Sequence, residues 1–284
     1  MAELLKGAPV AAALTEKLIP RARALSERGI IPKLAILRVG ARDDDLAYEH
    51  GALKRCAAAG IAVERTILDA DGTQAELMGA IDRINADASI HGCLMFRPLP
   101  KTLDEAVACA ALDPAKDVDC ITSGSLYGVF ANRPVGFAPC TAEAVIELLD
   151  FYGYGLEGAR VTVIGRSLVI GKPVSMMLQA RNATVTMCHT RTRDLAAECA
   201  KAEILVAAAG SLGCVGADSV APGQVVVDVG INWDEASRKL AGDVVYDEVE
   251  PIVGAITPVP GGVGSVTTAV LAKHVVEAAE RMAA

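Results

Sequence analysis

Along the 284-residue chain the apolar positions switch between two spacings. Residues 10–27 place them at helical intervals and stop at Gly29; residues 33–39 form a short apolar run suited to a buried strand; residues 45–59 return to helical spacing and end at Gly60. Residues 61–68 read as a strand, 74–85 as a helix, and 92–96 as a buried strand stopped by Pro98 and Pro100. Such βα alternation predicts a mainly parallel sheet flanked by helices.

A turn-rich stretch, 113–141, with Pro114, Pro134 and Pro139, reads as a junction. The pattern then restarts: helix 142–152, strand 160–164, helix 170–181, strand 183–187, helix 192–201, and strands 204–208 and 224–229. A final helix, 266–282, follows the run Pro260-Gly261-Gly262-Val263-Gly264 and is expected to pack on the first half. The expected fold is two α/β domains flanking a cleft, the second a Rossmann-type dinucleotide-binding domain. The expected division is 1–141 plus 266–284, and 142–265.

Composition narrows the function. Hydrophobic residues make up 52% and charged ones 22%, as in a globular chain. A net charge of −8 with 4% aromatics argues against a nucleic-acid surface of cations and stacking rings. No apolar run reaches the ~18 residues of a membrane span, and no signal peptide is expected. The eight cysteines are irregularly spaced, with no CxxC and no zinc-ligand pattern, so reduced thiols in a cytoplasm and no metal are expected. His50, His91 and His274 read as solvated or structural.

The sharpest local signal runs from Val161 to Pro173. A β-branched strand enters Gly165-Arg166-Ser167, and Gly171 opens a helix; glycines let backbone amides approach a phosphate, and the helix N-terminus favours its charge. The spacing departs from G-x-G-x-x-G, and a plain packing turn is the alternative. At the end of the next strand, Cys188-His189-Thr190-Arg191-Thr192-Arg193 lies where an adenosine ribose belongs. Arginines there suit a 2′-phosphate, which favours NADP over NAD, against the reading that they only face solvent at a helix start. Ala209-Gly210 and Asp228-Val229-Gly230-Ile231-Asn232 close two further strands at carboxyl ends, where ligands of such sheets sit.

Together with Lys116-Asp117-Val118-Asp119, Pro139-Cys140-Thr141, Gly242-Asp243-Val244 and Thr257 through Gly264, these motifs resemble the methylenetetrahydrofolate dehydrogenase/cyclohydrolase family, in order and spacing, over essentially the whole chain. The resemblance implies a folate-binding first domain, an NADP-binding second domain and a cytoplasmic homodimer. It implies that Tyr48 and Asp119 act as catalytic residues on the folate, with Phe96, Pro98, Gly261 and Gly262 also at the substrate. It implies that Gly165, Arg166, Ser167, Thr190, Arg191, Ala209, Gly210, Ile231 and Thr267 hold the cofactor.

Two departures bear on activity. Bifunctional members carry a lysine four residues after the tyrosine, where this chain has Ala52; Lys54 points ~160° away on a helix. The glutamine that bonds that lysine is here Phe96, and monofunctional dehydrogenases of the family likewise lack the pair. The expectation is NADP-dependent oxidation of 5,10-methylenetetrahydrofolate with weak or absent cyclohydrolase activity. The alternatives are a bifunctional enzyme, with Lys54 or a water-mediated route, or a non-catalytic NADP- or folate-binding paralogue. Further departures at Cys120, Ser125-Leu126-Tyr127 and Ser265-Val266 are read as changes around the pterin.

Overall fold

The computed structural model describes residues 1–235 and 238–284. The chain divides into two compact α/β units: a first of Ala12–Cys140 with Thr268–Ala284, and a second of Met1–Ala11 with Thr141–Thr267.

In the first unit, three parallel strands lie in the order Ala62–Leu68, Lys33–Val39, Gly92–Met95. Ile36 stands opposite Arg65 on one side and Leu94 on the other. The central strand has neighbours at both edges, so its apolar run is almost wholly buried. Leu37, Leu77, Ile81 and Met95 form part of the core between this sheet and the helix Gln74–Ala86. That helix begins with a capping box from Thr73 and Glu76. Beyond its other end the buried Lys116 ammonium donates to the carbonyls of Ile84, Asn85 and Asp87 at 2.6, 2.9 and 2.7 Å. Lys116 therefore caps a helix terminus, and burial lowers its pKa.

The second unit holds a parallel sheet of six strands among the described residues: Glu3–Leu4, Ala255–Ile256, Val225–Asp228, Ile204–Ala207, Arg160–Ile164 and Thr184–Cys188, in that order. From Arg160–Ile164 the chain steps first to Thr184–Cys188 on one side, then to Ile204–Ala207 on the other. The carboxyl ends of these central strands form a topological switch point, where open α/β sheets bind ligands.

Several expectations are corrected. Residues 1–11 group with the second unit, because Glu3 and Leu4 pair with Ala255 and Ile256; two residues carry no readable period. The stretch 113–141 contains a helix, Ser123–Ala131, capped by the Thr122 hydroxyl. Its Tyr127 and Phe130 are exposed, so no apolar stripe announces it. The helix expected over 192–201 shortens to Leu195–Ala200 behind the Asp194 cap. A small hairpin, Asn232–Asp234 with Lys239–Ala241, is too brief for alternation to show. The last helix, Thr267–Met282, lies from residue 268 onward in the first unit, where Arg21 bridges to Glu280 at 2.6 Å. No helix among the described residues is long and apolar enough to cross a membrane, and all eight cysteines are free thiols.

Candidate functional site

The strand Arg160–Ile164 delivers the chain into Gly165, whose φ is +119. A Cβ there would overlap the Ala208 carbonyl oxygen, and a Cβ on Gly171 would overlap the Gly165 carbonyl. Both positions are thus closed to any side chain. Ser167 Oγ accepts from the Ile170 amide at 3.1 Å, and Lys172 N donates to the Ser167 carbonyl at 3.0 Å, curling the loop onto the N-terminus of the helix Gly171–Ala180. Such an arrangement offers backbone donors and a positive helix end to an anion.

At the end of Thr184–Cys188 the turn is held by its own side chains. His189 N donates to Thr192 Oγ1 at 2.8 Å, and Arg191 N donates to His189 Nδ1 at 3.1 Å. Thr190, Arg191 and Arg193 are exposed, as are Arg166 and Ser167. Among the described residues no ion pair engages these three arginines. Asp194 is turned to the Ala197 amide as the cap of the short helix that follows, and guanidinium groups without an ion-pair partner suit a phosphate monoester.

Two buried carboxylates organise the loops at the other strand ends. Asp243 Oδ2 accepts from Ala209 N and Gly210 N at 2.6 and 3.0 Å; Oδ1 accepts from Ser211 N at 2.8 Å and Asn232 Nδ2 at 3.0 Å. Asp228 accepts from the amides of Gly230, Asp243 and Val244 at 2.9, 3.0 and 3.0 Å. Burial pushes the Asp228 carboxyl up to about 6, against the downward pull of these amides. Asp228 lines a cavity of about 270 Å³ together with Gly230, Ile231, Leu240, Gly261 and Gly262. Thr267 Oγ1 donates to the Gly264 carbonyl at 3.0 Å, closing the end of that glycine-rich loop. Gly261 and Gly262, assigned from sequence to the substrate, therefore share the second unit with the cofactor candidates.

The remaining substrate candidates lie in the first unit. Tyr48 projects from the helix Asp43–Ala59 and meets Phe96 edge-on, with ring centroids 5.9 Å apart at 81°. Pro98 is exposed two residues on. The helix is tied to the central strand by charge: Arg38 Nε donates to Glu49 Oε2 at 2.9 Å, Arg38 Nη1 donates to the Gly40 carbonyl, and Arg65 approaches Glu49 Oε1. Arg38 and Glu49 are both buried. Asp119 Oδ1 accepts from Cys140 N at 3.2 Å, and burial raises the pKa of its carboxyl. Behind it, His274 Nδ1 lies 2.8 Å from the Val118 carbonyl oxygen and its ring stacks on Phe137. His274 is thus structural.

Comparison with known proteins fixes the family. The catalytic-domain model of tetrahydrofolate dehydrogenase/cyclohydrolase matches residues 5–119, and the NAD(P)-binding-domain model of the same family matches 139–283. The chain belongs to the tetrahydrofolate dehydrogenase/cyclohydrolase family. It is 53% identical over 281 residues to the "Bifunctional protein FolD" of Carboxydothermus hydrogenoformans, covering 99% of this chain and 98% of that one. The crystal structure of the bifunctional FolD methylenetetrahydrofolate dehydrogenase/cyclohydrolase of Campylobacter jejuni superposes with TM-score 0.95 at 36% identity, covering 99% of each chain. The Trypanosoma brucei FolD, solved with NADP and an inhibitor, gives 0.91 at 34% identity, covering 99% and 98%.

Family membership gives the motifs a frame in which the departures can be explained. Cys120 has φ +59, a left-handed position where a glycine is unstrained. Ser125 is buried and its hydroxyl donates to Asp117 Oδ2 at 2.6 Å, so this side chain supports a structural carboxylate. Ala52 is wholly buried, Lys54 is exposed, and Arg55 Nη1 donates to Thr15 Oγ1 at 2.7 Å. Sequence reading missed the Arg38–Glu49 pair and the roles of Lys116 and Asp243; an arginine inside an otherwise apolar strand was the one visible signal for the first.

Proposed function

We propose that the protein oxidises 5,10-methylenetetrahydrofolate to its 5,10-methenyl form with NADP as acceptor. The observation that carries this reading is the glycine cradle at Gly165 beside arginines that form no ion pair among the described residues, in a chain whose family joins an NAD(P)-binding domain to a folate catalytic domain. Residues 12–140 with 268–284 hold the folate in this reading, and residues 141–267 the cofactor. It carries with it a cytoplasmic homodimer.

When bound, NADP supplies the ring carbon that accepts a hydride. The chain's own work is placement. Gly165, Ser167 and the start of the helix Gly171–Ala180 would hold the pyrophosphate, Arg166 and Arg191 with Thr190 would hold the 2′-phosphate, and Ala209, Gly210, Ile231 and Thr267 would border the remaining length. Tyr48 and Asp119 orient the pterin, the carboxyl receiving ring N–H donors. The hydride leaves with both bonding electrons, and the flanking nitrogens stabilise the resulting cation. Oxidation therefore needs alignment but no protein acid or base.

Hydrolysis of the methenyl product does need proton movement. Names of relatives at 53% identity favour a bifunctional enzyme over the expected weak hydrolysis. In that case the second step proceeds without an amine at position 52, since Ala52 offers none, and Lys54 is exposed. The test mixes purified protein with methylenetetrahydrofolate and each nicotinamide, following both chromophores. NADP reduction with methenyl formation is expected, and its absence on every tetrahydropterin overturns the reading. Enzyme-dependent decay of added methenyltetrahydrofolate marks the bifunctional reading, and its persistence marks the dehydrogenase alone. Lys54→Ala is expected to leave any hydrolysis unchanged.

The arginines give a separate prediction. Arg191→Ala should raise the Kd for NADP about tenfold or more, the cost of one charge-assisted bond, while leaving NAD binding unaltered. Isothermal titration reads both, and equal weakening would remove the 2′-phosphate role.

A further inference from the structure

Asp228 and Asp243 are almost completely buried, at 4% and 0% exposure. Among the described residues, every donor that reaches their carboxylate oxygens is neutral: backbone amides and the Asn232 side-chain amide. Among the described residues no lysine, arginine or histidine bonds to either carboxylate. Neutral donors satisfy lone pairs and leave the negative charge uncompensated, which is costly in a low-dielectric interior. The chain makes room for this pair specifically. A Cβ on Gly230 would overlap Asp243, and one on Gly242 would overlap Asp228.

The pair lies at one end of the dinucleotide track. The phosphate turn follows the strand Arg160–Ile164, and the arginine-bearing turn follows Thr184–Cys188 on one side of it. A dinucleotide with its 2′-phosphate on that side runs its other end toward Ile204–Ala207 and Val225–Asp228, on the opposite side. There Asp228 is among the residues that line a cavity with Ile231, Gly261 and Gly262, its carboxylate held just behind the lining by the amides of Gly230, Asp243 and Val244. The nicotinamide ring is cationic when oxidised and neutral when reduced.

We propose that the uncompensated charge of Asp228 and Asp243 makes this site bind oxidised NADP more tightly than NADPH, biasing the bound cofactor toward its oxidised form. The inference rests on the cofactor reading above. It concerns a property of the two aspartates that alignment of the ring alone does not supply, since both redox forms share the same phosphates and the same glycine cradle.

The test is titration calorimetry of the full chain, without folate, with NADP, NADPH, and the 2′-phosphorylated ADP-ribose that lacks the ring. NADP is expected to bind about tenfold or more tightly than NADPH, the scale of one charge interaction at protein-like dielectric. Asp228→Asn should move that ratio toward one, whereas Arg166→Ala should weaken both forms and leave the ratio in place. If circular dichroism shows Asp228→Asn unfolded, the natural chain decides: NADP should bind more tightly than the ring-less compound, and NADPH should show no such gain. Equal affinities, or tighter NADPH, overturn the inference while leaving the cofactor reading intact. Binding of neither form overturns both.

Discussion

Gly165→Ala is expected to weaken NADP binding by about a hundredfold or more while leaving a folded chain. The methyl group would enter the space of the Ala208 carbonyl, a backbone atom with no rotamer by which to withdraw. The φ of +119 adds strain for any side chain. Relief requires the turn to move away from the strand Ile204–Ala207, and the amides proposed to face the phosphate move with it. Losing two charge-assisted bonds of about 1.5–3 kcal/mol each gives the stated loss. Gly153→Ala is the control. Gly153 also has a positive φ, +78, but nothing stands within 4 Å of an added Cβ, so backbone strain is introduced there without obstruction. Calorimetric titration with NADP should separate the two variants, and near-equal affinities would show that steric closure at Gly165 is not what shapes the site.

Glu49→Ala is expected to destabilise the first unit by about 3–5 kcal/mol, the cost of stranding a buried charge. Arg38 lies inside the central strand, and Glu49 is the carboxylate it meets from the helix that also carries Tyr48. Removing Glu49 leaves the Arg38 guanidinium in an apolar interior and frees Arg65 from its ion pair. Tyr48 is the adjacent residue, so the same change should raise the KM for folate in whatever fraction remains folded. Glu49→Gln retains an acceptor for Arg38 and should fall between the two. Urea denaturation measures the stability difference, and a loss under about 1 kcal/mol would place the pair among weakly contributing ion pairs.

How much of this was legible in the sequence follows from what each feature needs to be seen. Strands such as Lys33–Val39 and helices such as Gln74–Ala86 are long enough for a period, and they emerge from the apolar pattern. Glu3–Leu4 and Ala255–Ile256 are two residues each, so their pairing is a tertiary fact, and with it the membership of the first eleven residues. Gly165 was legible because a β-branched strand ending in glycine is a local signal. Asp243 was visible only as part of a motif; its role comes from the loop at Ala209, more than thirty positions away, whose amides it receives. Ser125 looked like a change to the substrate pocket and proved to bond Asp117, because composition at one position does not reveal which way a hydroxyl points. For His274 the sequence leaves solvated and structural readings open, because the carbonyl that decides between them lies 156 residues away.

The central claim is direct hydride transfer from the one-carbon bridge to NADP held at the Gly165 turn. The measurement that meets it most directly is mass spectrometry of the nicotinamide after reaction of the purified protein with tetrahydrofolate carrying a dideuterated methylene bridge. The account predicts NADPH bearing one deuterium, formed in step with methenyl product. Reduced cofactor without label, or bound cofactor that stays oxidised in the presence of the folate, would contradict it.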